Sequence, residues 1–298
     1  MKALVAGWFS FEEMGATAGD LLVRDLLCLW LSRNRVPYDV AVAKPFSGGV
    51  DWTSVDPNEY SHVVFACGPF GNGRPVAEFL ARFARCSLVG VNLSMLESLE
   101  AWNPFDLLIE RDSSRAARPD IVFLAEPSPV PIVGVVLIHP QPEYRERDLH
   151  ETANGALRRL VAGLEVAAVP IDTRLDENQT GLRSPGEVES LIARMDVVLT
   201  TRLHGMVLAL KNGVPVIAID PVAGGAKISR QARTFGWDFV YLVGEITDEQ
   251  LRTAFAACLT ERVRLEAIAC RNRARATLAD VESRFASAFR RFGQASVG

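Results

Sequence analysis

Short apolar runs alternate with amphipathic stretches of helical period along most of the chain. This alternation constrains the fold more than any other feature. The apolar runs cover residues 3–7, 38–42, 62–67, 88–91, 107–109, 132–138, 166–171, 197–200 and 214–219. Most are rich in Val, Ile, Leu and Ala with little polar alternation, the pattern of parallel strands buried on both faces. Helical periodicity falls between them at 20–32, 75–85, 151–164, 186–195, 205–212 and 228–235. Strands separated by helices at this spacing predict βαβ units wound into parallel sheets.

Nine strands in 298 residues, with a break near the middle, favour two sheets over one. The break falls at 126–131, where Glu-Pro-Ser-Pro-Val-Pro can continue neither a strand nor a helix. The expected domains are 1–128 and 129–298, both Rossmann-like. From Thr247 to Phe292 the pattern turns wholly helical and arginine-rich, with Arg262, Arg264, Arg271, Arg273, Arg275, Arg284, Arg290 and Arg291. Glu261, Glu266, Asp280 and Glu282 interrupt this basic stripe. The favoured reading is a solvated face on terminal helices that pack back across the N-terminal domain, with peripheral contact to anionic lipid as the alternative.

Composition excludes several classes. A hydrophobic fraction of 49% rules out an unfolded chain, and a net charge of -4 argues against nucleic-acid binding. No run approaches the length of a spanning helix, and the short apolar stretch after Met1 meets Glu12 and Glu13, so no secretory leader is expected. Cys28, Cys67, Cys86, Cys258 and Cys270 are odd in number and lack CxxC spacing, which reads as core thiols in a reducing, cytoplasmic compartment. His62, His139 and His150 have no metal-ligand spacing, so no metal is expected. Neither a P-loop nor a GxSxG element is present, and 68–73 is not a dinucleotide fingerprint.

The richest stretch for chemistry is 184–227. A strand ending at Thr200 runs through Thr201-Arg202-Leu203-His204 directly into a helix. Open α/β sheets bind ligands beyond the carboxyl ends of their strands, and Arg202 and His204 fall at such an end. A guanidinium beside a helix N-terminus suits a carboxylate or phosphate, and an imidazole held next to that anion suits proton donation. The polar segment 172–178 follows a strand and faces the same side, as a ligand contact or as a solvated loop.

The segment TTRLHGMVLALKNGVPVIAIDP with Lys227 downstream resembles the C-terminal signature of the polysaccharide pyruvyltransferase family. Residues 15–20, ending in Asp20, resemble the family's glycine-rich element at the start of the first helix. Glu110-Arg111-Asp112-Ser113-Ser114 and 119–124 resemble two further family segments. The resemblance implies two Rossmann-like domains facing across a cleft, as in GT-B glycosyltransferases. It implies transfer of the enolpyruvyl group of phosphoenolpyruvate onto a saccharide as a ketal, with release of phosphate and no cofactor. The partners are then a small-molecule donor and a saccharide acceptor, lipid-linked in one version.

On the same resemblance, Arg202 binds the donor's anionic end, His204 is the catalytic acid, Lys227 neutralises the departing phosphate and Asp20 binds substrate. Two departures stand out. The family has an arginine after the first strand of the second domain, where this chain has Ile138-His139-Pro140, so His139 takes the place of that cation. The glycine turn of the first domain is altered to Cys67-Gly68-Pro69-Phe70-Gly71-Asn72-Gly73. A nucleotide-sugar glycosyltransferase and a catalytically silent protein of the same fold are the alternative readings.

Overall fold

A computed structural model describes residues 1–12, 14–139 and 148–295, with side chains to 289. The chain divides into two compact units, Met1–Ser128 and Pro129–Gly298, at the proline-rich stretch. Each unit is α/β with one five-stranded sheet whose paired strands are all parallel.

The first unit contains β1 (Ala3–Gly7), α1 (Ala18–Arg33), β2 (Tyr38–Val40), β3 (His62–Ala66), β4 (Pro69–Phe70), α2 (Val76–Arg82), β5 (Ser87–Val91), β6 (Ser94–Met95) and β7 (Leu107–Ile109). Its main sheet has the order β2-β1-β3-β5-β7, and β4 and β6 form a separate pair. Phe65, Phe70, Phe79 and Phe83, all fully buried, fill the core on one side of the sheet. The two-residue strands β4 and β6 carry too little pattern to be read from sequence.

The second unit contains β8 (Ile132–Val136), α3 (His150–Ala162), β9 (Ala167–Pro170), α4 (Pro185–Ile192), β10 (Val197–Thr200), α5 (Leu203–Lys211), β11 (Val216–Asp220), α6 (Lys227–Phe235) and β12 (Val240–Leu242). Three helices follow: α7 (Asp248–Cys258), α8 (Glu261–Thr277) and α9 (Val281–Ala295). The sheet order is β12-β11-β10-β8-β9. The order reverses between β8 and β10, so the carboxyl ends of these two strands border the crevice where such sheets take ligands.

Burial on both faces holds for the central strands β10 and β11, every residue of which is buried. It fails at the edge strand β9, where Ala167, Ala168 and Pro170 are exposed. The apolar run there records small residues at a sheet edge rather than a core strand. The predicted strand 132–138 is shorter than expected, because Leu137 and Ile138 already lie beyond the last ladder pair.

Four of the five cysteines are buried and all are free thiols. Helix α8, expected to reach back over the first domain, packs on α5, α6 and α7 of its own unit. Val263, Ala267 and Cys270 are its buried face in the second core. Among the described residues, no helix is long and apolar enough to cross a membrane.

Candidate functional site

The site is built where three strands of the second sheet end. Thr200, at the end of β10, donates its hydroxyl to the Val136 carbonyl across the sheet at 2.8 Å and accepts the Arg202 N–H at 2.9 Å. This turns the chain sharply, so Arg202 becomes the N-cap of α5 in an extended conformation. Gly205 makes the turn possible: a Cβ there would lie 2.2 Å from Thr200 Oγ1 and 2.9 Å from Val136. Any side chain would push the first turn of α5 off the strands beneath it.

A second brace comes from α3. Asn154, buried, donates to the Ile138 carbonyl at 3.1 Å and accepts from Thr201 Oγ1 at 2.7 Å. Thr201 Oγ1 in turn accepts the Ile138 N–H at 2.8 Å. The ends of β8 and β10 are therefore locked together through two side chains.

Arg202 is 14% exposed and reaches toward the loop after β9. Its Nη1 donates to Thr173 Oγ1 at 2.9 Å and lies 3.4 Å from Asp172 Oδ1. Burial pulls its pKa down, with the Asp172 charge opposing, but a guanidinium remains charged throughout the physiological range. Asp172 is 5% exposed, and its other oxygen faces His139 Nε2 at 3.1 Å. Burial works against the Asp172 carboxylate. N–H donation from Arg174 and Gln179, with the charges of His139 and Arg202, outweighs it and lowers the pKa.

One cavity of about 300 Å³ is lined by Arg202, His204, Lys227, Arg174 and Asp220, together with Thr173 and Thr201. Two helices, α5 and α6, begin at its wall, with Leu203 and His204 from one and Lys227 and Ile228 from the other. Helix N-termini present N–H groups and positive dipole ends, so two of them beside three cationic side chains make a wall chemically suited to an anion. His204 sits exposed in the first turn of α5.

Lys227 is placed by a residue that the sequence reading passed over. Asp220, 1% exposed at the end of β11, accepts the Ala226 N–H at 2.7 Å, the Ser229 N–H at 3.0 Å and the Ser229 hydroxyl at 2.8 Å. It caps α6 from the strand and folds the 221–226 loop over itself. The signal was an acidic residue closing an apolar strand just before a glycine-bearing loop.

The structure thus gathers Arg202, His204 and Lys227 around one cavity. His139 lines the adjoining one with Asp172, Glu151 and Asn154. Asp20 lies in the first unit as the third residue of α1, where its carboxylate accepts the Thr17 N–H and hydroxyl, each at 2.7 Å. That capping box engages Oδ2 of the carboxylate. Arg145 and Arg147, possible replacements for the missing cation, lie outside the described residues. Arg174, in the polar loop that sequence left undecided, is a further cation on the main cavity. Its Nε and Nη2 are held by Asp176 at 3.0 and 2.5 Å. Among the described residues, no three His, Cys, Asp or Glu side chains converge as metal ligands.

The segments at 110–114 and 119–124 serve the first unit's architecture. Arg111 bonds Asp120 at 3.1 Å and Ser94, while Asp120 accepts from Asn92 at 2.9 Å and caps the short helix after it. The buried Glu110 carboxylate accepts from Arg115 through two bonds of 2.9 Å.

Residues 118–221 match the family described as Polysaccharide pyruvyl transferase, which bears out the sequence resemblance over that stretch. Arg202, His204, His139, Asp172 and Asp220 fall inside the match; Lys227 and Asp20 fall outside it. No curated protein sequence matches the chain. Among solved structures, the spinosyn rhamnosyltransferase SpnG complexed with thymidine diphosphate is similar at 11% identity, with 95% of this chain and 99% of that chain covered and a TM-score of 0.36. The glycotransferase of kitacinnamycin is similar at 10% identity, 95% and 98% coverage and a TM-score of 0.35. The UDP-GlcNAc 2-epimerase of Methanocaldococcus jannaschii is similar at 10% identity, 94% and 100% coverage and a TM-score of 0.32. Likeness at this level says nothing of which ligand this chain binds.

Proposed function

We propose that the chain transfers the enolpyruvyl group of phosphoenolpyruvate to a saccharide, forming a cyclic ketal and releasing phosphate. The observation that carries this reading is the convergence of Arg202, His204 and Lys227 on one cavity walled by two helix N-termini. The family match over 118–221 supports the transferase class and includes the first two of these residues.

Phosphoenolpyruvate has two anionic ends, a carboxylate and a phosphate, and the cavity offers cations at two places. Arg202 has one nitrogen committed to Asp172 and Thr173. Its Nε and Nη2 form a planar edge for one anionic group. Lys227 and the N-terminus of α6 face the other. Arg174, whose Nη1 has no hydrogen bond from the described residues, adds a third cation.

In the proposed reaction the His204 imidazolium gives its proton to the methylene carbon of the donor. The electron pair of the C–C double bond forms the new C–H bond and leaves positive charge at C2, shared with its oxygen. One acceptor hydroxyl adds at C2 and gives its proton to the now neutral His204. A second hydroxyl displaces phosphate from C2, closing the ketal, and its proton leaves with the phosphate. General acid catalysis lowers the first barrier, and the fixed cations stabilise the charge that builds on the departing phosphate.

A thermal-shift screen tests the donor. Phosphoenolpyruvate should raise the melting temperature, while UDP- and GDP-sugars should not. Stabilisation by a nucleotide sugar alone would point to glycosyl transfer, and no stabilisation by either would leave a silent member of the fold.

A further inference from the structure

Helix α9 presents an apolar stripe that nothing else among the described residues covers. Val281, Phe285 and Phe289 recur at four-residue spacing on one face, and are 47%, 66% and 63% exposed. Leu278, in the turn just before, is 61% exposed. The two phenylalanine rings lie 4.9 Å apart, tilted 58° to each other. The solvated face expected of these terminal helices carries, on α9, large apolar side chains. A stripe of large side chains held in water at a regular helical spacing marks an interaction surface.

Charge decides which partner fits. From residue 261 onward the sequence has eight arginines against four carboxylates. The preceding residues hold the remaining twenty-four Lys and Arg against thirty-two Asp and Glu, so an acidic body carries a basic tail. Arg284 stands beside the stripe, 77% exposed, and the sequence continues as Arg290-Arg291-Phe292. Exposed phenylalanines on one face of a helix within an arginine-rich segment are the composition of a helix that lies in the plane of an anionic lipid surface. A second copy docked tail to tail would bring two basic tails together, and one docked on the acidic body would match the charge without acyl chains for the phenylalanines, whereas an anionic bilayer takes both.

We infer that α9 is an in-plane membrane-binding helix that seats Val281, Phe285 and Phe289 among acyl chains, with its arginines at the lipid headgroups. The inference is independent of the donor assigned above. It would bring the transferase to an acceptor held at a lipid surface.

The test is flotation of the full chain with phosphatidylcholine vesicles, with and without roughly one third phosphatidylglycerol. Wild type should float with the anionic vesicles and poorly with the neutral ones, and the binding should weaken as salt is raised. The variant F285E/F289E should lose about tenfold or more of the binding, and Arg284→Glu should lose less. Both sites are exposed, so the melting temperature of the double variant should match wild type. The inference is overturned if wild type does not float, or if the double variant floats equally well. A lowered melting temperature in the variant would show the stripe packed within the chain, and a wild-type dimer that the variant dissociates would show it covered by a second copy; either result also overturns it.

Discussion

Asp172 grips Arg202 by one nitrogen only. Its Oδ1 lies 3.4 Å from Nη1, and Thr173 Oγ1 accepts from the same nitrogen at 2.9 Å. The Nε and Nη2 edge has no hydrogen bond from the described residues. An arginine held from behind keeps its position while offering a planar pair of donors forward. Replacing it with lysine keeps the charge and loses the fork. Arg202→Lys should therefore weaken phosphoenolpyruvate binding nearly as much as Arg202→Ala, by about tenfold or more for a lost bidentate contact. Calorimetric titration of both variants checks this; restored affinity in the lysine variant would reduce Arg202 to a background charge.

His139 meets the same carboxylate from the other side. Its Nε2 faces Asp172 Oδ2 at 3.1 Å in the adjoining cavity. His139→Gln should leave phosphoenolpyruvate affinity within about threefold of wild type, as expected where no direct contact is lost. Arg174→Ala, by contrast, should raise the Kd by about tenfold through loss of a cavity cation. Titrations of the two variants from pH 5.5 to 8.5 separate these roles. A large effect of His139→Gln that vanishes in His139→Arg would return the cation role to residue 139.

Asp220 and Lys227 should separate by what they damage. Lys227→Ala removes a charge that lines the cavity, so affinity and phosphate release should fall. Asp220→Asn removes a buried acceptor of three bonds and should cost on the order of 1–3 kcal/mol of stability. Paired thermal melts and binding curves test this, and a fully stable Asp220→Asn variant would contradict the capping role.

Acid should loosen the first unit through Glu110. The Arg115 guanidinium beside it outweighs burial and holds its carboxyl at about 2, below the ordinary value near 4.3. A depressed folded-state pKa gives stability that is full above the unfolded value and is lost as pH falls through the folded one. The window is thus about pH 5 down to about 2, and the contribution is on the order of 2–3 kcal/mol, discounted because Arg115 is half exposed. Glu110→Gln should lower stability at pH 7 and flatten the acid limb of a pH–stability profile. An unchanged acid limb would remove Glu110 from the account.

Much of this was legible because parallel strands and strand-end turns are local in sequence. The run 197–200 and the Thr-Arg-Leu-His turn suffice to place Arg202 and His204 at the mouth of the sheet. Asp172, Asn154 and Asp220 were not legible as braces, because their partners lie 30, 47 and 9 residues away and only the folded sheet brings them together. Asp20 carries a second role that the sequence reading did not include: an acid three residues into a helix also fits a capping box, and Thr17 completes one. The strand β12 (Val240–Leu242), half-buried throughout at the edge of its sheet, was not read from the sequence.

His204 bears the central claim. The most direct measurement is phosphate release from phosphoenolpyruvate across a panel of saccharides, with wild type and His204→Gln in parallel. Glutamine retains polarity and reach but donates no useful proton at neutral pH. Wild type should release phosphate only when an acceptor is present, and the variant should be slower by roughly 10²–10⁴-fold while its donor Kd stays close to wild type. Near-normal turnover in the variant, or wild-type phosphate release that no saccharide stimulates, would contradict the account.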